Sequence, residues 1–213
     1  MHKAPELDHL VFRISEMHPL MASLRALGAS IEDSGFDDGW IEAGLYGSTT
    51  TRQFLEGNYM KRALTAHSIT YSALSDLHMK AFLKSKSGQS NAEYTNVKQA
   101  SFAMNTICQE GRYSELGTKN KDLLTAMETD GLQEKLELFD KVMESQCPLF
   151  KFARDYMKFV MCILMFIRAS REGDWNLHLE SLKALAKYFF AHDRLNYALG
   201  ASISSTDVQA RDR

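Results

Sequence analysis

The chain has 213 residues and a formal net charge of −2, with 45% hydrophobic and 24% charged residues. This length suffices to bury a hydrophobic core, and the composition is typical of globular proteins. Because positive and negative charges nearly balance, a strongly basic nucleic-acid-binding or membrane-surface protein is excluded. Three widely spaced cysteines without a CxxC pair exclude a disulfide framework and indicate a reducing compartment, the cytoplasm or the nucleus.

One strand is predicted, close to the N-terminus. Residues 10–14 combine β-branched and aromatic side chains with partial alternation of apolar and polar positions. A lone strand cannot pair its backbone N–H and C=O groups. Either these residues are not a strand, or the partner strands lie outside this chain. We favour the second alternative, which predicts that the polypeptide is a segment of a longer protein.

Helical signals dominate the remainder of the first 84 residues. Apolar side chains at helical spacing predict a helix over residues 19–31, and shorter helices follow at 40–46 and 51–55. The acidic turn before the second helix lacks the ligand spacing of an EF-hand loop. We therefore expect Asp37 or Asp38 to cap that helix.

A long helix is predicted over residues 58–84. Its apolar stripe has alternating steps of four and three residues and consists of Met60, Leu64, His67, Tyr71, Leu74, His78 and Ala81. Such a stripe suits packing inside a bundle, and it is also a face through which a protein partner can bind. His67 and His78 are about three turns apart, too far to share a metal ion, so we expect core or interface roles for both.

A polar linker at residues 84–90 is the best candidate boundary within the chain. We assign residues 1–84 to an N-terminal strand and helices and 85–199 to a C-terminal helical region, together forming one domain. Helices are predicted at 92–108 and 132–145, and a disordered tail at 200–213.

The C-terminal helical region ends in a helical hairpin that starts at Pro148. Its longest uninterrupted apolar run has nine residues, Phe159 to Ile167. A membrane span needs roughly twenty, so we expect a buried core helix and no membrane insertion. At the turn, Gly173 suits a left-handed helix end and Asp174 can cap the next helix.

Three residues at this turn are candidate functional positions: Asp174, Trp175 and His178. The alternative interpretation of these three residues is structural, because they can cap and pack the second helix of the hairpin. No P-loop, GxGxxG, GxSxG or HExxH motif is present. We therefore predict no catalytic residue, no cofactor and no metal site. The basic residues of the middle region lack interleaved aromatic side chains, so we favour a solvated face over a phosphate-binding surface.

Two blocks of the sequence resemble consecutive segments of large, multi-copy, mobile-element-derived proteins of animal genomes. They begin FRISEMHPLMASLRALGAS and FARDYMKFVMCILMFIRAS and cover well over half of the chain. The resemblance implies an RNase H-like transposase core with a helical insertion as the whole-protein architecture. It makes His18, which follows the predicted strand, the position of most interest in the first block. The metal-binding carboxylates of such a core would lie mainly outside this chain.

The sequence thus predicts an all-α, irregular multi-helix bundle with one marginal N-terminal strand. Our primary functional hypothesis is a non-catalytic helical fragment of a mobile-element-derived protein. The loss of resemblance after Ala198 suggests a truncated copy. Two alternatives stay open: a helical insertion in an RNase H-like nucleic-acid-processing protein, and a helical protein-interaction adaptor that uses the face from Met60 to Ala81.

Overall fold

The chain folds as an all-α protein. The structure, a computed structural model, describes residues 17–85, 121–122, 125–128 and 131–193. The helices with assigned bounds are α1 (Met17–Ile31), α2 (Phe36–Glu42), α3 (Ser48–Leu55), α4 (Met60–Lys84), α5 (Leu132–Gln146), α6 (Pro148–Glu172) and α7 (Trp175–Ala191). The predicted strand at 10–14, the helix at 92–108 and the tail at 200–213 lie outside the described residues.

The chain divides into two compact units. The described part of unit 1 comprises residues 17–72 and 154–193, and that of unit 2 the described residues between 73 and 153. The boundaries between the two units fall within α4 and α6, the longest of the helices with assigned bounds. The predicted boundary at 84–90 falls largely outside the described residues and stays a prediction.

In unit 1, α1 contacts both α3 and α7. Its buried face includes Leu24 and Leu27. Gly28 follows Leu27 on α1. It lies so close to α3 that a Cβ atom at this position would collide with the backbone carbonyl of Leu55. The Arg25 side chain donates a hydrogen bond from Nε to the carbonyl of Glu56 at 3.1 Å, which satisfies a carbonyl at the end of α3.

The hairpin of α6 and α7 supplies a large part of the unit 1 core. Phe159, Ile163 and Phe166 of α6 are buried, as are Leu182, Leu185 and Phe189 of α7. The rings of Phe159 and Tyr188 stack at 3.7 Å between centroids with an interplanar angle of 4°. Burial of these large apolar side chains is the main stabilising contribution to the hairpin.

Unit 2 has its own smaller core. Phe82, Leu132 and Phe139 are buried there, and half-buried apolar side chains, Met79, Met127, Leu136, Met143 and Phe150, pack against them. The rings of Phe82 and Phe139 meet edge to face at 5.6 Å, a geometry favoured by the ring quadrupoles.

Several predicted helix bounds are confirmed. The first helix ends at Ile31, the long helix ends at Lys84, and α5 starts at Leu132. At the hairpin turn, Gly173 has φ +70° and the Asp174 side chain accepts a hydrogen bond from the Leu177 amide at 2.9 Å. Local backbone chemistry therefore determines this turn, as predicted.

The predicted capping of the second helix is wrong. This helix, α2, starts at Phe36 after Gly35, which is the N-cap in a left-handed conformation with φ +82° and no side-chain hydrogen bond. Asp37 and Asp38 lie inside the first turn instead. Their carboxylates still interact favourably with the helix N-terminus, because that end of the helix dipole is positive.

The apolar run at 159–167 forms a helix, but only one face of it is buried. Met161 and Met165 are exposed, whereas Phe159 and Ile163 are buried. A continuous apolar run in a helix covers every direction around the axis, and a neighbouring helix can bury only part of that circumference. None of the described helices combines the length and hydropathy that a membrane crossing requires.

Candidate functional site

The predicted hairpin residues form a small structural cluster. Trp175 stacks on His178 with 5.4 Å between ring centroids and an interplanar angle of 9°. His178 is buried and its ring also lies 4.9 Å from that of Phe166. Asp174 uses its carboxylate for the helix cap and its carbonyl to accept the His178 amide at 3.0 Å. These contacts account for the three residues as parts of the α6–α7 turn.

The fourth predicted position, His18, is the second residue of α1 and is exposed. The strand expected before it lies outside the described residues. A functional role for His18 therefore stays a prediction.

A hydrogen-bonded network lies in the interior of unit 1. His67 is 1% exposed, and its Nδ1 is 2.9 Å from the hydroxyl oxygen of Tyr156. Thr70 accepts the indole N–H of Trp40 at 2.7 Å and donates to the Ala66 carbonyl at 3.0 Å. The network ties α2, α4 and α6 together inside an apolar core.

Burial keeps the His67 ring neutral. It lowers the pKa of His67 to about 4, because the charged imidazolium would lose its hydration. Burial likewise raises the pKa of the Tyr156 hydroxyl. His67 Nε2 is buried without a hydrogen-bond partner. The tautomer with hydrogen on Nδ1 fits best, since it donates to Tyr156 and leaves only a lone pair unsatisfied.

A second histidine pair lies in unit 2. His78 Nε2 is 2.5 Å from Asp140 Oδ1, and each side chain is 13% exposed. The rings of Phe139 and Phe150 lie 6.0 Å and 5.9 Å from the imidazole. A carboxylate on one ring nitrogen fixes the orientation of a histidine. The pair thus connects α4 to α5, and by itself it defines no reaction.

The outcome for the predicted stripe of α4 is mixed. His67 is buried and Ala81 is exposed, whereas the other five stripe residues are half-buried. The fully buried positions of the N-terminal half are Ala63, Ala66 and His67. Because alanine is small, neighbouring helices can approach α4 closely at this point.

Between α4 and α6 lies an open groove of about 650 Å³, called the α4–α6 groove below. Its lining residues are Lys61, Leu64, Thr65, Ser68, Ile69 and Ser72 of α4 and Leu164, Ile167 and Arg171 of α6. Its apolar members include Ile69, which is 44% exposed. Among the described residues, its charged lining is basic on both helices, and no carboxylate lines it.

The three hydroxyls that line the groove already donate hydrogen bonds to their own helix. Thr65 donates to the Lys61 carbonyl at 3.0 Å, Ser68 to that of Leu64 at 2.7 Å and Ser72 to that of Ser68 at 3.0 Å. Since these donors are satisfied, a partner can cover this wall without leaving their hydroxyl hydrogens unpaired. Their small side chains also permit close approach.

A second, more polar cavity of about 810 Å³ lies between α1, α2 and α3. Arg25 and Arg52 line it, as do five carboxylates, Glu32, Asp33, Asp37, Asp38 and Glu56. No group of three or more His, Cys, Asp or Glu side chains that could hold a metal ion occurs among the described residues. The predicted absence of a cofactor stays a prediction.

The two stripe histidines were predictable from the sequence, but their partners were not. Tyr156 is 89 residues from His67, and Asp140 is 62 residues from His78. A signal for Asp140 was present: it follows Phe139 directly on the apolar side of an amphipathic helix. A carboxylate in that position requires a partner, because burying an unpaired charge is costly.

The fold and the groove define an all-α helical domain with an exposed apolar and basic groove. The chain belongs to a family described as "Domain of unknown function (DUF8702)", whose model matches residues 1–210. No curated protein and no solved structure matches the chain.

Proposed function

We propose that the chain is a non-catalytic helical domain of a mobile-element-derived protein and that it binds an acidic amphipathic helix of a partner protein in the α4–α6 groove. The observation that carries the binding role is the lining of this groove, which is apolar and basic and contains no carboxylate among the described residues. The resemblance of the two sequence blocks supports the mobile-element origin. The proposed location of the protein is the cytoplasm or the nucleus.

The apolar lining supplies the favourable free energy of binding. Ile69 is 44% exposed, and Leu64, Leu164 and Ile167 are half-buried, so each has surface left to cover. Complete burial of such a side chain contributes about 1.5–3 kcal/mol. These four side chains are already partly buried, so covering the rest of each contributes only a part of this free energy. The costs of association and of ordering the partner reduce the net free energy of binding further. A weak, reversible complex is the expected result.

The length of the groove fits a short helix. Its α4 wall extends from Lys61 to Ser72, which corresponds to roughly 16 Å or three helical turns. Helix-in-groove recognition uses apolar anchors at i, i+3, i+4 and i+7, which span a similar length.

The charges of the groove select an acidic partner. Lys61 and Arg171 both line it, and a carboxylate at the edge of a bound helix can approach either cation. Complementary charge of this kind increases the association rate and disfavours basic partners. A nucleic-acid strand would use the two cations and gain little from the apolar floor, which is why we favour a protein helix.

A synthetic amphipathic helix tests this proposal. The probe is a fluorescent peptide of about 15 residues with a leucine stripe flanked by glutamates, and its control peptide carries lysine in place of glutamate. Fluorescence anisotropy with the purified chain is expected to show binding of the acidic peptide only. Binding of both peptides with equal affinity would remove the charge argument.

Two variants on α4 form a matched pair. Ile69→Asp places a carboxylate in the groove, and we expect at least tenfold weaker binding, or about 1.4 kcal/mol. Leu77→Asp is the control, because Leu77 is 60% exposed and does not line the groove. Equal binding by both variants would contradict the proposed site. Circular dichroism melting checks that both variants remain folded.

The alternative of a nucleic-acid-processing protein is tested with Ile69→Asp and with a further groove variant, Lys61→Glu. A labelled single-stranded oligonucleotide replaces the peptide. The alternative would be favoured if Lys61→Glu abolishes oligonucleotide binding and Ile69→Asp leaves it unchanged. Phosphate contacts depend on cations and not on an apolar floor.

A further inference from the structure

The cavity between α1, α2 and α3 in unit 1, called the α1–α3 cleft below, combines carboxylates with a deeply buried hydroxyl. Its volume of about 810 Å³ lies in the range of small-molecule sites. Thr51 of α3 lines it and is 2% exposed. The Thr51 Oγ1 atom is buried and makes no hydrogen bond to any residue that the structure describes. Buried hydroxyls are normally hydrogen-bonded, so this one indicates a ligand with a complementary polar group.

Four carboxylates of the cleft are concentrated where α1 ends and α2 begins. Glu32 and Asp33 directly follow Ile31, the last residue of α1, and Asp37 and Asp38 lie in the first turn of α2. The C-terminal end of a helix carries a partial negative charge, so the two carboxylates after α1 are unfavourable there unless a cation is close. The last turn of α1 contains no basic residue. A positively charged ligand would therefore stabilise this end of the cleft.

The rest of the lining leaves a net negative charge and adds apolar surface. Two arginines and five carboxylates line the cleft, so the formal charge of its lining is −3. One of the arginines, Arg25, already donates a hydrogen bond to the Glu56 carbonyl. Ala29 and Ile41 also line the cleft, and Ile41 is 38% exposed. A site of this composition attracts positive charges that are joined by apolar groups, and it repels anions.

We propose that the α1–α3 cleft binds an aliphatic polyammonium ligand, a flexible chain of methylene groups that carries several ammonium groups. The ammonium groups contact the carboxylates between α1 and α2, and the methylene groups cover Ile41. One ammonium N–H donates to the Thr51 hydroxyl oxygen, which is the acceptor that burial leaves unpaired. A free polyamine and the lysine side chains of a peptide share this chemistry.

Isothermal titration of the purified chain at about 150 mM NaCl tests the proposal, since this salt concentration screens long-range attraction. The probes are spermidine and a capped trilysine peptide, which carry the same number of positive charges. The expected result is saturable binding of at least one probe, and the tighter-binding probe identifies the source of the ammonium groups. The absence of saturable binding of both probes would overturn the proposal.

A matched pair of charge reversals locates the site. Glu32→Lys is expected to weaken binding of the probe about tenfold, because a favourable charge contact becomes repulsive. The new cation suits the C-terminal end of α1, so the variant should stay folded. Glu42→Lys is the control, because Glu42 is an exposed carboxylate at the end of α2 that does not line the cleft. Equal weakening by both variants would mean general attraction to an acidic surface and would overturn the proposed site.

Thr51→Val tests the buried hydroxyl. Valine has nearly the same shape as threonine and cannot form a hydrogen bond, so a purely structural Thr51 would leave the affinity for the probe unchanged. We expect the affinity to fall about fivefold, because the bond to the ammonium group is lost. Thermal melting checks that the variant is at least as stable as the wild type. An unchanged affinity in this folded variant would contradict the proposed contact.

Discussion

Acidification is expected to destabilise the protein through His67. The ring is neutral in the folded protein, where burial lowers its pKa to about 4. In the unfolded chain the pKa returns to its ordinary value of about 6.5. Between these two values the unfolded state binds a proton that the folded state does not, so the free energy of unfolding falls as the pH falls.

The size of this effect follows from the two pKa values. One pKa unit corresponds to about 1.4 kcal/mol. His67 lowers the free energy of unfolding by close to zero at pH 7, by about 2 kcal/mol at pH 5 and by about 3 kcal/mol at pH 4. Below pH 4 this loss levels off. Such a loss is a large part of the ~5–15 kcal/mol stability of an ordinary domain.

Urea unfolding of the wild type and of His67→Asn from pH 7 to pH 4 measures this contribution. Asparagine keeps a donor near the position of Nδ1 and does not titrate, so it can still bond Tyr156. In a Trp175→Phe background, Trp40 fluorescence is a local probe, because the Trp40 ring lies 5.2 Å from that of His67. Circular dichroism should follow the same transition if unfolding is two-state.

We expect the wild type to lose about 2–3 kcal/mol more than His67→Asn over this pH range. Other carboxylates and histidines titrate in both proteins and cancel in the difference. A difference in stability between the two proteins that stays constant from pH 7 to pH 4 would refute the reasoning.

Two further predictions concern helix packing and capping. Gly28→Ala is expected to lower the free energy of unfolding by about 1–3 kcal/mol, because the new Cβ meets the Leu55 backbone. Gly39→Ala, whose Cβ has open space in α2, is the control and should be neutral or stabilising by up to about 1 kcal/mol; equal effects in urea unfolding would contradict the close helix contact. Asp174→Ala should lose the bond to the Leu177 amide and about 1 kcal/mol, whereas Asp174→Asn should keep most of it; a thermal melt that ranks the two variants equally would argue against the cap.

Local chemistry made much of the helical architecture predictable. The end of the long helix at Lys84 and the start of α5 at Leu132 follow from apolar periodicity and from the breakers beside them. The turn at Gly173 and Asp174 was predictable because a left-handed residue and a capping carboxylate act within four residues. The start of α2 was not predictable, because Gly35 is the N-cap although Asp37 and Asp38 are good capping residues close by.

The candidate groove was only partly visible in the sequence. Leu64 belongs to the predicted stripe, but Ile69 does not, and its importance appears only when α6 is placed beside α4. The predicted stripe itself differs from the buried face around Ala63 and Ala66. Heptad spacing cannot rank these positions, because burial depends on which helices surround α4 on each side.

The sequence by itself determined that this chain is all-α and where most of the described helices end, because hydrophobic periodicity, glycines and caps act over a few residues. Only the tertiary structure paired His67 with Tyr156 and His78 with Asp140. It alone brought Gly28 against α3. These contacts join residues far apart in the chain, and their geometry depends on how the helices pack, which no local pattern specifies.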